Sequence, residues 1–351
     1  MIHYYYTVAS KEYTYKILLL YNSMMKYDIT FKFFIVCLHT ESRKMFERLG
    51  LQNAVLIDVE ALEAYDGELA AIKKKRSIKQ YAWAAKPVAA LYILEYYHEV
   101  DYIVWLDGDT VFLSSPEPIY KEWGEYPVAL TEEKFTGKYE HTASIYGFYN
   151  TGFMGFKRSI AALECLRYFR ERLMEWNYDD KEQYRWNDQL YVSDWPERFG
   201  CIGIIKNPGV NMTPFIFNRL SDEAKCTLFE KDGCLYMGDV KITLFHFYGF
   251  SYFNRCEFEL CSYTDIYSQS EINQIYLPYI KDCVRMIDKI REIDKSYYAE
   301  KPIGQINIRN YYYLDLPEQK IKYKGKSSKK KSIYSINNKT NNQMKIGSKG
   351  E

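Results

Sequence analysis

The first part of the chain alternates between two spacings of apolar residues. Residues 3–10 (HYYYTVAS) and 31–38 (FKFFIVCL) are short aromatic and β-branched runs, whereas residues 13–27 between them have apolar positions at helical spacing. This order predicts strand, helix and strand, which is the opening of a βαβ unit. Further along, a helix is predicted from about Pro87 to Tyr97, because proline is tolerated in a first turn, where its missing N–H costs little.

The same alternation continues in the second half of the chain. Residues 149–156 (YNTGFMGF) and short runs at 201–207 and 242–250 have the composition of strands, and residues 270–296 have helical spacing. Strands that alternate with helices predict an α/β fold with a mostly parallel, doubly wound sheet and helices on both faces. A helix capped by Ser159 is predicted to cover this sheet with one apolar side, formed by Ile160, Leu163, Leu166, Phe169, Leu173 and Trp176.

Charge divides the chain into a body and a tail. The formal net charge of the 351 residues is +1, but residues 320–351 hold ten lysines and one acidic residue, so this tail carries +9 and the remainder −8. A body of that charge would not bind nucleic acid through bulk electrostatics. The tail is low in apolar residues and is predicted to be disordered, either simply solvated or in weak peripheral contact with anionic lipid.

Composition also indicates a compartment. Hydrophobic residues make up 47% of the chain, enough for a sizeable core, and the eight cysteines include no CxxC pair and no zinc-ligand spacing. We therefore expect reduced core thiols. The N-terminus lacks a basic leader followed by an uninterrupted apolar segment, and no run of about 18 apolar residues occurs. A cytoplasmic protein is expected, either free or at the inner face of the membrane.

The strongest chemical signal is the segment 102–109 (YIVWLDGD). A continuously apolar strand is buried on both faces and ends at the carboxyl edge of its sheet, where ligands bind. Asp107 and Asp109 can face the same side, and Gly108 between them lets the backbone approach a ligand. Carboxylate oxygens suit Mg²⁺ or Mn²⁺, and such an ion neutralises a diphosphate. The alternative is a turn with two solvated aspartates.

Five segments follow one another along the chain: 100–118 (VDYIVWLDGDTVFLSSPEP), 148–159 (FYNTGFMGFKRS), 187–200 (NDQLYVSDWPERFG), 207–214 (NPGVNMTP) and 244–250 (LFHFYGF). Together they resemble the bacterial nucleotide-diphospho-sugar transferases of the GT-A fold, similar in order to the glycogenin and lipopolysaccharide galactosyltransferase group. The resemblance covers roughly residues 3–255. It implies metal-dependent sugar transfer from a nucleotide-diphosphate donor, with a UDP-sugar favoured and configuration retained, to a saccharide or lipid-linked saccharide of lipopolysaccharide, capsule or a related surface glycan.

The resemblance also implies roles for individual residues. Asp107 and Asp109 match the metal-binding DxD motif, and His246 matches the histidine that completes the metal site. The residues implied to bind the donor, around the base and then the diphosphate, are Thr7, Val8, Ala9, Tyr13, Arg76, Lys86 and Asp107. The residues implied to contact the transferred sugar are Asn150, Asp188 and Gln189. One feature departs from the pattern, because the lysine expected a few residues after His-Phe-Tyr-Gly is missing, and Arg255 is the first cation there.

A division of the chain follows from this resemblance. We expect residues 1–300 to form one GT-A domain, in which residues 3–215 carry the nucleotide and sugar sites and residues 216–300 close the fold. Residues 301–319 are predicted to be a linker to the tail.

Local patterns leave simpler roles open for several of these residues. His246 in an apolar strand could be a hydrogen-bonded core histidine, and Asn150 a turn residue. Asp188 and Gln189 could cap or solvate a helix, and the basic run that ends at Arg76 could be a solvated helix face.

Two other functions fit part of the sequence. A phosphatase of the haloacid dehalogenase type would use Asp107 as nucleophile and Asp109 as acid/base. Thr243, however, stands where its final aspartate is expected, and Asp179-Asp180 are predicted to follow a helix instead of a strand. A non-catalytic saccharide-binding protein would use the same pocket without needing both aspartates.

Overall fold

The computed structural model has a seven-stranded sheet at its centre. It describes residues 2–28, 30–133, 141, 143–178, 187–222, 224–266, 268–301 and 310–314, so the predicted tail and Asp179-Asp180 lie outside the described residues. The strands are β1 (His3–Ala9), β2 (Phe31–Cys37), β3 (Ala54–Asp58), β4 (Tyr102–Leu106), β5 (Thr110–Phe112), β6 (Val128–Glu132), β7 (Tyr149–Lys157), β8 (Ile202–Ile205), β9 (Leu228–Lys231), β10 (Cys234–Met237), β11 (Val240–Lys241), β12 (Leu244–His246), β13 (Ser251–Tyr252), β14 (Glu257–Glu259) and β15 (Tyr311–Tyr313).

Twelve α-helices are described with these strands, together with short 3₁₀ turns at Lys73–Lys75 and Gln189–Val192 and a π-helical turn at Ile272–Tyr276. In the described part of the chain, no helix has both the length and the apolar character needed to cross a lipid bilayer. The helices are α1 (Thr14–Tyr27), α2 (Thr40–Leu49), α3 (Val59–Tyr65), α4 (Gly67–Ile72), α5 (Ile78–Tyr96), α6 (Glu117–Trp123), α7 (Ala143–Tyr146), α8 (Ile160–Glu175), α9 (Trp195–Phe199), α10 (Pro214–Asp222), α11 (Gln269–Glu271) and α12 (Leu277–Ile293).

The strand order of the central sheet is β3–β2–β1–β4–β7–β6–β8. Strands β3, β2, β1 and β4 are parallel, β8 is parallel to β6, and β7 runs antiparallel to both of its neighbours. The winding reverses between β1 and β4. At such a switch point the loops beyond the carboxyl ends of the strands leave a crevice for a ligand. The predicted mostly parallel α/β sheet is confirmed.

Side chains of β1 alternate between two apolar cores, one on each face of the sheet. Tyr5 points to the core that includes α1, α2 and α12, whereas Tyr6 points to the core that includes α3, α4, α5 and α8. This alternation is the period of two expected for a strand. Helices therefore cover both faces, as predicted.

Helix α5 begins at Ile78, so the predicted start near Pro87 is wrong. A capping box sets the true start: the Ser77 hydroxyl accepts from the N–H of Gln80, whose side chain accepts from the N–H of Ser77. Pro87 lies inside the helix, where it cannot donate to the carbonyl four residues earlier. The capping box and the burial of this helix outweigh that one lost bond.

Helix α8 has the predicted cap, since the Ser159 hydroxyl accepts from the N–H of Ala162 at 3.2 Å. Ile160 does not belong to its buried side, however, because 78% of its surface is exposed. Side chains of a helix tilt toward its N-terminus, so the first residue projects past the surface that the helix covers. Trp176 is buried but follows the last helical residue, Glu175.

Smaller sheets attach the second half of the chain to the first. Strand β12 pairs antiparallel with β5, and strands β9 to β11 form a separate antiparallel sheet. Strand β15 lies within the segment predicted as a linker, yet it pairs antiparallel with β14 and is followed by the buried Leu314. At least this part of residues 301–319 is therefore attached to the fold.

All eight cysteines are free. Cys37, Cys165, Cys261 and Cys283 are buried core thiols, as predicted. The other four, Cys201, Cys226, Cys234 and Cys256, are only half-buried, because they lie on short strands and loops at the rim of the fold.

Candidate active site

Asp107, Asp109 and His246 lie together at the carboxyl edge of the sheet. Asp107 follows β4, Asp109 precedes β5, and His246 ends β12, whose pairing with β5 places it opposite Thr110. The Nε2 atom of His246 lies 3.2 Å from Oδ1 of Asp109 and 3.7 Å from Oδ2 of Asp107. One ligand atom from each residue falls within 4.8 Å of the others. Two carboxylates and an imidazole nitrogen suit a divalent cation such as Mn²⁺.

Backbone hydrogen bonds hold the three residues in place. The N–H of Asp107 donates to the Gly152 carbonyl at 2.9 Å, and the N–H of Phe247 donates to the Asp109 carbonyl at 2.9 Å. Gly152 lies directly against the imidazole, because a Cβ atom there would be 2.5 Å from Cε1 of His246. The Gly in the Tyr-Asn-Thr-Gly segment is therefore required by the close approach of the histidine ring.

The tautomer of His246 follows from a chain of hydrogen bonds that starts at a backbone N–H. The N–H of Gly152 donates to Oδ1 of Asn150 at 2.8 Å, which makes that atom an acceptor. The same oxygen accepts from Nδ2 of Asn211 at 2.9 Å, so Oδ1 of Asn211 is the atom that faces Nδ1 of His246, at 3.1 Å. Nδ1 must carry the proton. In the neutral ring the lone pair of Nε2 then faces the two carboxylates, as ligation requires, whereas in the protonated ring the N–H of Nε2 donates to Asp109.

The carboxylate of Glu133 extends this network of hydrogen bonds beyond Asn150. Its buried carboxylate accepts from Nδ2 of Asn150 and from the Thr213 hydroxyl, both at 2.6 Å. Burial raises the pKa of Glu133, although these two hydrogen bonds oppose the rise. Asn150 therefore uses its oxygen and an amide hydrogen inside the protein, and its predicted contact with a sugar stays a prediction.

Lys86 joins Asp107 to Asp188. Its buried ammonium donates to Oδ2 of Asp188 at 2.5 Å and to the Thr151 carbonyl at 3.1 Å, and it lies 3.7 Å from Oδ1 of Asp107. Asp188 also accepts from the Thr151 hydroxyl at 3.2 Å. Lys86, which was predicted to meet the donor, thus connects Asp188, which was predicted to contact the sugar, to the candidate metal-binding cluster.

The two aspartates differ in charge environment. Burial raises the pKa of Asp107, although Lys86 and His246 oppose it. Burial also penalises the charged form of Asp109, but the Lys16 ammonium and the hydrogen bond from His246 outweigh it and hold the pKa of that carboxyl well below its ordinary value. For His246, burial favours the neutral ring, yet Asp109 and Asp107 prevail and raise its pKa. An added cation would compete with a proton here.

Lys16 is the cation that local sequence patterns do not reveal. It occupies a buried position in α1, among apolar residues, and its ammonium lies 3.4 Å from Oδ2 of Asp109 and 3.4 Å from the Phe250 carbonyl. Burial would lower the pKa of Lys16, but Tyr13 and Asp109 raise it overall. Glu133 and Asn211 were likewise not identified, since each acts through partners distant in sequence.

The residues predicted to hold the base lie at the switch point of the sheet. Thr7, Val8 and Ala9 end β1 and are buried, and Tyr13 follows in the loop before α1 with 42% of its surface exposed. The Thr7 hydroxyl is buried and has no hydrogen-bond partner among the described residues. Thr7 follows the residues of β1 that pair with β4, the strand that ends just before Asp107.

Two predicted residues make contacts away from the two aspartates. The Arg76 guanidinium donates to Asn177 at 2.8 Å and to Tyr178, and so ties the entry to α5 to the segment after α8. Gln189 begins a 3₁₀ turn, and its side chain donates to the Tyr146 carbonyl at 3.0 Å. The roles predicted for both toward the donor stay predictions.

Comparison with known proteins gives relatives and structural neighbours. No family model matches the chain. Two Bacillus subtilis (strain 168) proteins, uncharacterized protein YfnD and uncharacterized protein YfnF, are each 26% identical to it. The match to YfnD spans 287 residues, 81% of this chain and 90% of YfnD, and the match to YfnF spans 294 residues, 81% of this chain and 94% of YfnF.

Among solved structures, the chain is similar to the galactosyltransferase LgtC in complex with donor and acceptor sugar analogues, at 17% identity and a TM-score of 0.48 over 70% of this chain and 86% of that one. It is similar to the glycosyltransferase GlyE of Streptococcus pneumoniae TIGR4, at 13% identity and a TM-score of 0.46 over 86% and 66%. Mouse xyloside xylosyltransferase 1 has 11% identity and a TM-score of 0.46 over 70% and 97%. These three structural neighbours of the chain are all glycosyltransferases.

Proposed function

We propose that this protein is a metal-dependent glycosyltransferase of the GT-A fold that moves a hexose from a nucleotide-diphosphate donor to a saccharide acceptor. The observation that carries the proposal is the cluster of Asp107, Asp109 and His246 at the switch point, with Nε2 of His246 turned to the carboxylates. Such a set would hold one Mn²⁺ or Mg²⁺ ion, which would supply charge to stabilise the leaving diphosphate.

Other residues of the chain are proposed to bind the donor and the transferred sugar. Thr7, Val8, Ala9 and Tyr13 would bind the base of a nucleotide, with UDP favoured, because open α/β sheets bind ligands beyond the carboxyl ends of their strands. Lys86 pairs with both Asp188 and Asp107, so the donor would meet carboxylates already positioned. Asp188, Gln189 and Asn150 remain the proposed contacts of the transferred sugar, and Arg76 a proposed contact of the donor.

The proposal also includes the class of acceptor and the stereochemistry of transfer. The resemblance to the lipopolysaccharide galactosyltransferase group supports a surface glycan acceptor, free or lipid-linked, and transfer with retention. A cytoplasmic enzyme with weak contact to the inner membrane face through its basic tail fits that acceptor. A β-configured product from an α-linked donor, read by NMR, would contradict retention.

The test begins with a thermal-shift screen of UDP-, GDP-, CDP-, ADP- and TDP-sugars, each with Mn²⁺ and with EDTA. A ligand that binds the native state raises the melting temperature, so a donor should stabilise the protein in Mn²⁺ only. Slow hydrolysis of that donor would separate an enzyme from a saccharide-binding protein. Trapping of a phosphoaspartate at Asp107 would instead support the phosphatase alternative, because a glycosyltransferase never modifies this carboxylate.

A further inference from the structure

The sequence between His246 and Arg255 contains no basic residue, although the family pattern expects a lysine there. Arg255 is the first basic residue after the His-Phe-Tyr-Gly segment, but its guanidinium forms an ion pair with Asp288 of α12. Arg255 lines a groove along α12 together with Lys281 and Lys289. It is therefore committed to a different surface from the one that carries Asp109.

Lys16 of α1 places a positive charge at the turn that follows His246. Its side chain is buried, yet its ammonium reaches the Phe250 carbonyl of the turn and Oδ2 of Asp109, each at 3.4 Å. The ammonium also lies 4.6 Å from the ring centroid of Tyr13. Asp109 thus presents Oδ1 to His246 and Oδ2 to Lys16, so the oxygen that lies nearest Nε2 of His246 is not the one that pairs with the lysine.

The position of Lys16 between Tyr13 and Asp109 matches the path of a bound nucleotide. Tyr13 borders the edge of the sheet at which the base is proposed to bind, and Asp109 belongs to the proposed metal site. The diphosphate of a donor must span the distance between its nucleoside and the metal. We infer that the Lys16 ammonium contacts the diphosphate of the donor and replaces the lysine missing after His246. This inference rests on the proposed function.

A second role for Lys16 would give a different signature. If the lysine only positioned Asp109, its removal would weaken metal binding and would weaken nucleotide binding by the same factor. If it contacts the diphosphate, removal of a positive charge beside the metal site leaves Mn²⁺ affinity equal or higher, because like charges repel. Nucleotide affinity would still fall, and the loss would depend on the second phosphate.

The experiment is isothermal titration of the full chain with Mn²⁺ alone and with nucleotides in Mn²⁺. The probes are UDP, GDP, CDP, ADP and TDP, followed by the monophosphate of whichever diphosphate the wild type binds most tightly. The test variant is Lys16→Met, which keeps the length of the side chain. The controls are Lys26→Met, an exposed lysine of the same helix, and Lys301→Met, whose ammonium donates to Ser251, the residue that follows the turn after His246 and begins β13.

Lys16→Met should lose about ten- to hundredfold in affinity for the diphosphate, the value of one charge-assisted hydrogen bond, with little change for the monophosphate. Both controls should match the wild type. Three results would overturn the inference. Lys16→Met could keep the wild-type affinity for the diphosphate, or it could lose Mn²⁺ affinity by the same factor as diphosphate affinity. Lys301→Met could instead be the variant that loses diphosphate affinity. Wild-type protein that binds none of the diphosphates would refute the proposed function itself. If Lys16→Met fails to give a cooperative thermal transition, Lys16→Gln replaces it under the same criteria.

Discussion

The Oδ1 atom of Asn211 lies 3.1 Å from Nδ1 of His246, and this contact decides which nitrogen of the imidazole faces the two aspartates. Asn211 can only present its oxygen there, because its amide group donates to Asn150 and to Thr131, each at 2.9 Å. The geometry of the proposed metal site thus depends on a residue that contacts neither aspartate.

Replacement of Asn211 by leucine should weaken metal binding. The variant removes the acceptor for Nδ1–H, so the neutral ring is free to move its proton to Nε2, and loss of such an outer partner costs about ten- to hundredfold in affinity. Titration with Mn²⁺ measures the loss, and ¹⁵N NMR of the five histidines reads the tautomer. Asn211→Asp keeps an acceptor and should retain the wild-type tautomer. A folded Asn211→Leu protein with wild-type Mn²⁺ affinity would contradict this account.

Replacement of Gly152 by alanine should displace the His246 ring. The new Cβ would lie 2.5 Å from Cε1 and Nδ1 of the imidazole, and strain of this kind costs about 1–3 kcal/mol. Urea denaturation and Mn²⁺ titration should both show a loss. Gly67→Ala is the matched control, since a Cβ there meets nothing within 4 Å. Equal Mn²⁺ affinity of Gly152→Ala and the wild type would mean that the ring position does not control the site.

Glu271 should make the protein less stable as pH rises. It is buried, neither carboxyl oxygen has a hydrogen-bond partner among the described residues, and burial raises its pKa well above the ordinary value of 4.5. At a pH between 4.5 and the raised pKa of the folded state, the Glu271 carboxyl is ionised in the unfolded chain and protonated in the folded chain. Stability contributed by this group is therefore complete below about pH 4.5 and is lost as pH increases, by up to about 1.4 kcal/mol per pH unit.

The variant Glu271→Gln tests this by removing the titrating group. Its free energy of unfolding in urea should exceed that of the wild type at pH 8, and the difference should shrink toward pH 5. The exposed Glu230→Gln serves as the control and should follow the wild type at both pH values. A constant difference between Glu271→Gln and the wild type across this range would show that Glu271 is ionised in the folded protein.

Much of the fold could be predicted from local patterns, since strands such as β1, β2 and β4 are short apolar runs. Asp107 could be placed at the edge of the sheet for the same reason. The start of α5 could not, because the proline rule favoured Pro87 whereas the Ser77 capping box and burial set the start at Ile78. Ile160 has the spacing of the buried side of α8, but it is exposed because it lies at the first position of the helix, beyond the surface that the helix covers.

Local sequence patterns could not predict the residues that position the candidate metal-binding side chains. His246 was identified through a family resemblance, and its position depends on the pairing of β12 with β5, strands more than a hundred residues apart. Asn211 and Glu133 act through hydrogen bonds between separate elements of the chain. Lys16 stands in an apolar helical run, where a lysine shows no sign of its partner Asp109.

The most direct test of the central claim is nucleoside diphosphate binding by the Asp107→Asn variant, measured by isothermal titration in Mn²⁺ and in EDTA. The wild type should bind at least about tenfold more tightly in Mn²⁺, because an ion held by Asp107, Asp109 and His246 would supply positive charge to the diphosphate. Asp107→Asn should bind equally weakly in both, while Asp101→Asn, an exposed aspartate just before the same strand, should behave as the wild type. An Asp107→Asn protein that keeps Mn²⁺-dependent binding, or full transferase activity of the wild type in EDTA, would contradict the account.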